Sequence, residues 1–205
     1  DYKTVIGLKD KDGKVVFGPV QADYAKSGGA PLAPLPKHLR GPHVTVFGPP
    51  ESEQETLDAV NSYHCRLDAE PAVVGELLAN ATYNPKWGAD HEDSKTPSRD
   101  GLAEGTFTLT KAYSNKLATE TTTLAETRRA LPMKRIPGLA LPDLWHYVDG
   151  EPLPLHLYDF ALHFYHNQNT AAALTFYVPK LESEHEAKYV GKMVAAAERL
   201  VLRLQ

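Results

Sequence analysis

Residues 133–167, MKRIPGLALPDLWHYVDGEPLPLHLYDFALHFYHN, decide how this chain is read. Arg135 closes a short apolar run, and Pro137-Gly138 breaks the chain directly after it. An arginine at the tip of a buried strand, followed by such a turn, aims a permanent positive charge into a pocket. The plain alternative is an arginine that caps a loop. Val148-Asp149-Gly150-Glu151 then reads as a hairpin turn, and an aromatic-rich run follows from Leu155 to His166. By periodicity alone that run fits a helix or a strand.

Downstream, Leu174–Val178 has the composition of a buried strand stopped by Pro179. Glu184 to Leu204 is the clearest helix, with Ala187, Val190, Val194, Ala197 and Val201 along one side. Upstream, Thr106-Phe107-Thr108-Leu109-Thr110 alternates like a strand within residues 104–112, and residues 114–130 read as a polar helix. Trp87 to Asp90 is a brief apolar approach to the acidic cluster Asp90, Glu92 and Asp93. His43–Phe47 reads as a strand. Ser52 caps a helix to about Tyr63, and Pro71 to Asn80 predicts another short one. Residues 26–36 are too rich in Gly and Pro for regular structure and read as an arm, while Lys11-Asp12-Gly13 marks a hairpin between Thr4–Leu8 and Lys14–Phe17.

Strands alternating with helices from about residue 83 predict an α/β fold with βαβ units and a parallel sheet. The expected division is an N-terminal α+β region, residues 1–82, and a sheet-forming part, residues 83–205.

Four blocks of the chain resemble the malate synthase family. Arg135-Ile136-Pro137-Gly138-Leu139, Leu141-Pro142, Gly150-Glu151 and Leu157 to Asn167 are similar to its Arg-x-Arg-Gly-Leu-His-Leu-Pro, Gly-Glu and Leu-Phe-Asp-Phe-Ala/Gly-Leu-Tyr-Phe-Phe-His-Asn run. Thr175 to Ser183 resembles Tyr-Phe-Tyr-Leu-Pro-Lys-x-Glu-Ser, and Ala89 to Ser94 resembles Ala-Asp-Phe-Glu-Asp-Ser. His43 to Pro49 and Ala59 to Ser62 resemble Val-Glu-Ile-Thr-Gly-Pro and Ala-Leu-Asn-Ser. Residues 64–82 have no counterpart, and Pro137 and Ala140 stand where the family has Arg and His.

The resemblance implies a partial (β/α)8 TIM-barrel-like sheet, in which residues after strand C-termini build the site. With Asp159, it favours a helix over a strand for Leu155 to Asn167. It also implies the Claisen condensation of acetyl-CoA with glyoxylate to malate and CoA, a glyoxylate-cycle reaction assisted by Mg2+. Arg135 and Glu92 would be catalytic, Lys180 would bind substrate, and Glu92 and Asp93 would support the metal through bound waters. Asp90 matches too, though it would serve equally as a turn cap. A solvated acidic turn is the plain reading of Glu92-Asp93, and the polar end of a strand is that of Lys180.

A complete barrel needs ~250 residues. Nothing after Lys180 resembles the family's direct metal ligands or its proton-abstracting aspartate. The chain is therefore expected to be a portion of an enzyme, or a short relative acting as a binding module or as a homo-oligomer whose partner closes the barrel.

With 42% hydrophobic and 23% charged residues, the composition is that of a globular chain. A net charge of −4 and the lack of a Lys/Arg run disfavour nucleic acid. The lone Cys65 offers no internal disulfide, and the histidines near residues 146–166 do not have the spacing of a zinc motif. No apolar run reaches the ~20 residues that span a membrane. A cytoplasmic location is expected, with the peroxisome or glyoxysome as the alternative, and the ending Leu-Arg-Leu-Gln is not a peroxisomal tripeptide.

Overall fold

The computed structural model describes residues 8–9, 15–17, 34–40, 45–65 and 68–203. Contacts divide the chain into two units, Asp1–Pro36 and Lys37–Gln205. In the first, β1 (Leu8–Lys9) pairs antiparallel with β2 (Val15–Phe17), Leu8 opposite Phe17. The intervening Asp12-Gly13 turn and most of the Gly/Pro-rich arm lie outside the described residues.

The second unit is built on a parallel four-stranded sheet made of β3 (Val46–Gly48), β4 (Lys86–Asp90), β5 (Leu131–Arg135) and β8 (Phe176–Tyr177). Strand order in space follows order in sequence, the singly wound arrangement of a barrel wall. β3 therefore joins, across the expected boundary at residue 83, a sheet otherwise drawn from the C-terminal part. β4 is buried at every position, as a central parallel strand covered on both faces must be.

Helices cover one face. α1 (Glu53–Val60) starts at Ser52, whose hydroxyl accepts from Glu55 N–H, and it buries Leu57 and Val60. α2 (Ala72–Asn80) follows Pro71 and buries nothing fully. α3 (Arg99–Tyr113) corrects the strand expected at residues 104–112. Its threonine alternation imitates a strand, but Leu102, Gly105, Thr106, Leu109 and Ala112 recur at helical spacing and are all buried, and Ser98 caps the start. Residues 114–130 are not helical either. Thr119 and Thr122 bond to one another, and the Asn61 side chain holds Thr123 C=O and Ala125 N–H, so side chains take the place of helical hydrogen bonds.

After β5, the chain forms the antiparallel hairpin β6 (Pro142–Val148) and β7 (Glu151–Pro154). Asp149 and Gly150 take φ of 52° and 84°, as an Asp-Gly two-residue turn requires. α4 (Leu155–Asn167) spans the aromatic run predicted as a helix. Its Phe160 and Phe164 pack with Ile136 and Met193, and with Val190, Val194, Ala197 and Val201 of α5 (Glu184–Arg203). Ser183 and Glu186 start α5 with a reciprocal cap, Glu186 N–H to Ser183 Oγ at 3.2 Å and Ser183 N–H to Glu186 Oε2 at 2.8 Å.

The two-residue alternation of the strands sorts their side chains. Trp87, Ala89, Lys134 and Phe176 point into the helix layer. Phe47, Asp90, Arg135 and Tyr177 share the opposite face, with Asp90 beside Arg135 and Arg135 beside Tyr177 in register. No helix among the described residues is long and apolar enough to cross a membrane.

Candidate functional site at the C-terminal ends of the strands

β4, β5 and β8 end together, and their last residues and following turns form one charged cluster. Arg135 is its centre. Nη1 donates to Asp90 Oδ2 at 3.0 Å, and Nη2 donates to Glu92 Oε2 at 2.5 Å and Asp93 Oδ2 at 2.7 Å. Lys180 reaches the same acids from the far side, 2.5 Å from Glu92 Oε1 and 2.9 Å from Asp93 Oδ1. Glu92 thus lies between two cations, one on each oxygen.

Depth differs across the cluster. The side chains of Asp90, Glu92 and Arg135 are 2%, 5% and 12% exposed, against 58% for Asp93 and 56% for Lys180. The inner three interact in a medium that screens poorly, and the outer pair is weakened by water. Burial alone would lower the pKa of Arg135, but its bond to Asp93 and the charges of Asp90, Glu92 and Asp93 raise it. Hydrogen bonds from Lys180 and then Arg135 hold Asp93 well below the usual carboxylate range. Bonds to Glu92 and Asp93 raise Lys180.

The guanidinium is also flanked by rings. Its centre lies 5.5 Å from the Phe47 ring and 5.8 Å from that of Tyr177, and the two rings meet edge-on at 5.4 Å. Gly88 makes room for this packing, because a Cβ there would come within 2.3 Å of the Phe47 ring. Gly138 brings the turn after β5 close, where a Cβ would lie 3.2 Å from Glu92 Oε1. Arg135 Nε is buried with no partner among the described residues, so that donor of the fork is unused.

Asp90 makes two contacts, one on each oxygen. Oδ1 caps the following turn by accepting from Glu92 N–H at 2.9 Å, and Oδ2 takes Arg135. Lys180 has φ of 55°, a left-handed conformation that costs a non-glycine residue about 1–2 kcal/mol. The chain after β8 is thereby turned so that its ammonium reaches the acids.

Beneath the rim lies a second cluster that the sequence reading did not identify. Lys134, His91 and Asp159 are fully buried between sheet and helices. Asp159 Oδ1 accepts from Lys134 Nζ at 2.9 Å and from His91 Nδ1 at 2.8 Å, and Lys134 also contacts His91 Nδ1. Burial lowers Lys134 to about 8 against the pull of Asp159, and lowers His91 to about 4. Asp159 falls to about 2, because the charges of both neighbours outweigh its own burial. The sequence signal was available: Lys134 and His91 each stand one place from a rim residue and so face the other way.

The histidines do not gather. His163 is buried and bonds Ala173 C=O at 2.9 Å, while His166 packs against the Phe107 ring. Among the described residues, no group of three His, Cys, Asp or Glu side chains is arranged to hold a metal ion. Glu92 and Asp93 turn their oxygens to Arg135 and Lys180, so the acids present do not fit Mg2+ as a direct site. Cys65 is exposed.

Comparison with known proteins accords with this geometry. Residues 132–203 match the family model "Malate synthase, TIM barrel domain". The chain is 32% identical over 189 residues to the glyoxysomal malate synthase of Gossypium hirsutum, covering 86% of the chain and 30% of that relative. It is 27% identical over 194 residues to malate synthase of Myxococcus xanthus, covering 91% and 32% respectively. A 34% identity over 128 residues links it to the glyoxysomal malate synthase of Candida tropicalis, covering 57% and 22%. The chain spans about three-tenths of the length of the first two relatives.

Proposed function

We propose that this chain, a relative of the malate synthases over most of its length, carries part of the active site for condensing acetyl-CoA with glyoxylate to malate and CoA. The observation that supports this reading is the convergence of Arg135, Glu92 and Lys180, from three separate strand ends, on one rim of a singly wound parallel sheet.

In that reaction the acetyl methyl loses a proton, the enolate carbon attacks the glyoxylate aldehyde, and water then cleaves the thioester. Negative charge develops on the enolate oxygen. Arg135 is the residue suited to meet it, because its fork is permanently charged and already held in place by Asp90 and Glu92. Glu92 acts by fixing both cations. Lys180, more exposed, is suited to the glyoxylate carboxylate. Mg2+ would polarise the aldehyde in such an enzyme, but Glu92 and Asp93 are engaged by cations, so no step is assigned to a metal held by this chain. The proposed location is cytoplasmic, with the glyoxysome, where the cotton relative's name places that protein, as the alternative.

The test is release of free thiol from acetyl-CoA. Release that requires glyoxylate and Mg2+ supports the proposal; thiol release indifferent to glyoxylate refutes it.

A second reading is favoured by the open edge of the sheet. Among the described residues β3 pairs only with β4, so a further strand, from a second copy or from another part of a longer protein, has a place to pair. The chain would then act as a binding or dimerisation module. Glyoxylate or CoA would raise its thermal midpoint with no product formed, and sedimentation would show a homo-oligomer.

A further inference from the structure

A cavity of about 590 Å3 opens at the other end of the same strands. Leu131, the first residue of β5, lines it, and Tyr83 and Asn84 lead from it into β4. Arg135 stands four residues further along β5, roughly 13 Å away at the usual rise per residue. The two sites therefore lie at opposite ends of the sheet.

The lining is unusual for a chain of net charge −4. Lys37, His38, Arg40 and Arg129 all face the cavity, and among its described lining residues there is no Asp or Glu. Lys86 Nζ donates to Arg40 C=O at 2.9 Å, which fastens the 3-10 turn Lys37–Leu39 beside the start of β4. Arg129 Nη1 donates to Asn115 Oδ1 at 2.6 Å, a neutral partner that leaves its charge in place. The C-terminal ends of α1 and α3 also face this side, through Val60 and Tyr113. Each contributes roughly half a negative charge, less than the permanent cations Lys37 and Arg129 supply together.

The floor is apolar. Val60, Ala112, Ala130, Leu131 and Pro132 form it, and the half-exposed ring of Tyr83 stands at its side. A cationic rim over an apolar floor selects a ligand with an anionic group and an organic body, and the volume is that of a small-molecule site. Several Arg and Lys donors match a group carrying two or more charges better than a single carboxylate. We infer that this cavity binds an organic phosphate, with its phosphates on Arg129 and Lys37 and its body on Tyr83 and the apolar floor.

Calorimetric titration of the protein at low salt, with ADP and with inorganic pyrophosphate as probes, tests this. ADP is expected to bind more tightly than pyrophosphate, because only ADP covers the floor. Arg129→Ala and Lys37→Ala should each weaken ADP about tenfold, the worth of one charge-assisted bond. Tyr83→Ala should weaken ADP and leave pyrophosphate unchanged. Arg129→Lys keeps the charge and should bind within a few-fold of the parent, and Lys37 is exposed, so its truncation tests the site even if position 129 proves needed for folding. Failure of both probes to bind, equal affinity for the two, or ADP binding that survives the double truncation overturns the inference. So does ADP binding that is lost on Arg135→Lys, which would place it at the other rim.

Discussion

Lys134 and Arg135 are consecutive residues of β5, and their charges end on opposite faces of the sheet. Lys134 Nζ lies 2.9 Å from Asp159 Oδ1 in the helix layer, and Arg135 Nη1 lies 3.0 Å from Asp90 Oδ2 at the rim. His91 and Glu92 repeat the relationship at the end of β4, and His91 N–H donates to Arg135 C=O at 3.0 Å. The rim cluster therefore rests on a buried one through neighbouring residues in the chain.

Arg135→Lys separates charge from shape at the rim. A point charge can keep one acid but not span Asp90, Glu92 and Asp93, so glyoxylate-dependent thiol release should fall by about 10²–10³-fold. Arg135→Ala should in addition destabilise the fold by about 3–5 kcal/mol, because Asp90 and Glu92 are left buried beside no guanidinium. Turnover assays and urea midpoints check the pair. Unchanged turnover in Arg135→Lys would remove this residue from the site.

For the inner cluster, Lys134→Met strands a fully buried carboxylate at Asp159 and should cost about 3–5 kcal/mol. Adding Asp159→Leu removes the stranded charge and should restore most of that loss. A double-mutant cycle from urea denaturation measures the coupling. Additive losses would mean that the two groups do not act as a pair.

Stability should decline below neutral pH in two stages. Burial lowers His91 to about 4 and His163 to about 3, while an unfolded histidine titrates near 6.5. Between these values the unfolded chain binds more protons, so the histidines' contribution to stability is full above about 6.5 and falls toward 4, by up to about 3 kcal/mol per histidine. Asp159, lowered to about 2 from an ordinary 3.8, adds a further loss as pH falls through that lower window. Urea midpoints between pH 7 and pH 4 should fall steadily in the parent and less steeply in His163→Leu. A flat profile would contradict the buried neutral histidines.

Two helical glycines should respond in opposite directions to alanine. At Gly105 a Cβ would lie 2.4 Å from His91 Nε2 and 3.2 Å from Pro50 Cγ. The ring is pinned by Asp159, so overpacking of about 1–3 kcal/mol outweighs the helix-propensity gain of about 1 kcal/mol. At Gly191 nothing lies within 4 Å, and the same change should stabilise by about 1 kcal/mol. Thermal midpoints of the two variants decide the matter.

What the sequence determined by itself was local or periodic. Asp149-Gly150 specified its turn, Ser52 marked a helix start, and Val190, Val194, Ala197 and Val201 marked the buried stripe of α5, because caps, turns and amphipathic spacing act within a few residues. The resemblance around Arg135, Glu92 and Lys180 pointed to strand ends, and the parallel order of the strands follows from the alternation of elements. Local pattern failed at Thr106 to Thr110, where two-residue alternation and helical spacing coexist and contact with the sheet selects the helix. It failed again at residues 114–130, where the Asn61 side chain, far away in sequence, takes up backbone groups. Only tertiary structure decided that Lys134, His91 and Asp159 form one buried cluster, that Phe47 and Tyr177 flank Arg135, and that Lys37, Arg40 and Arg129 meet around one cavity. Each of these joins residues from separate elements, and the pairing energy that holds them exists only once the sheet has brought those elements together.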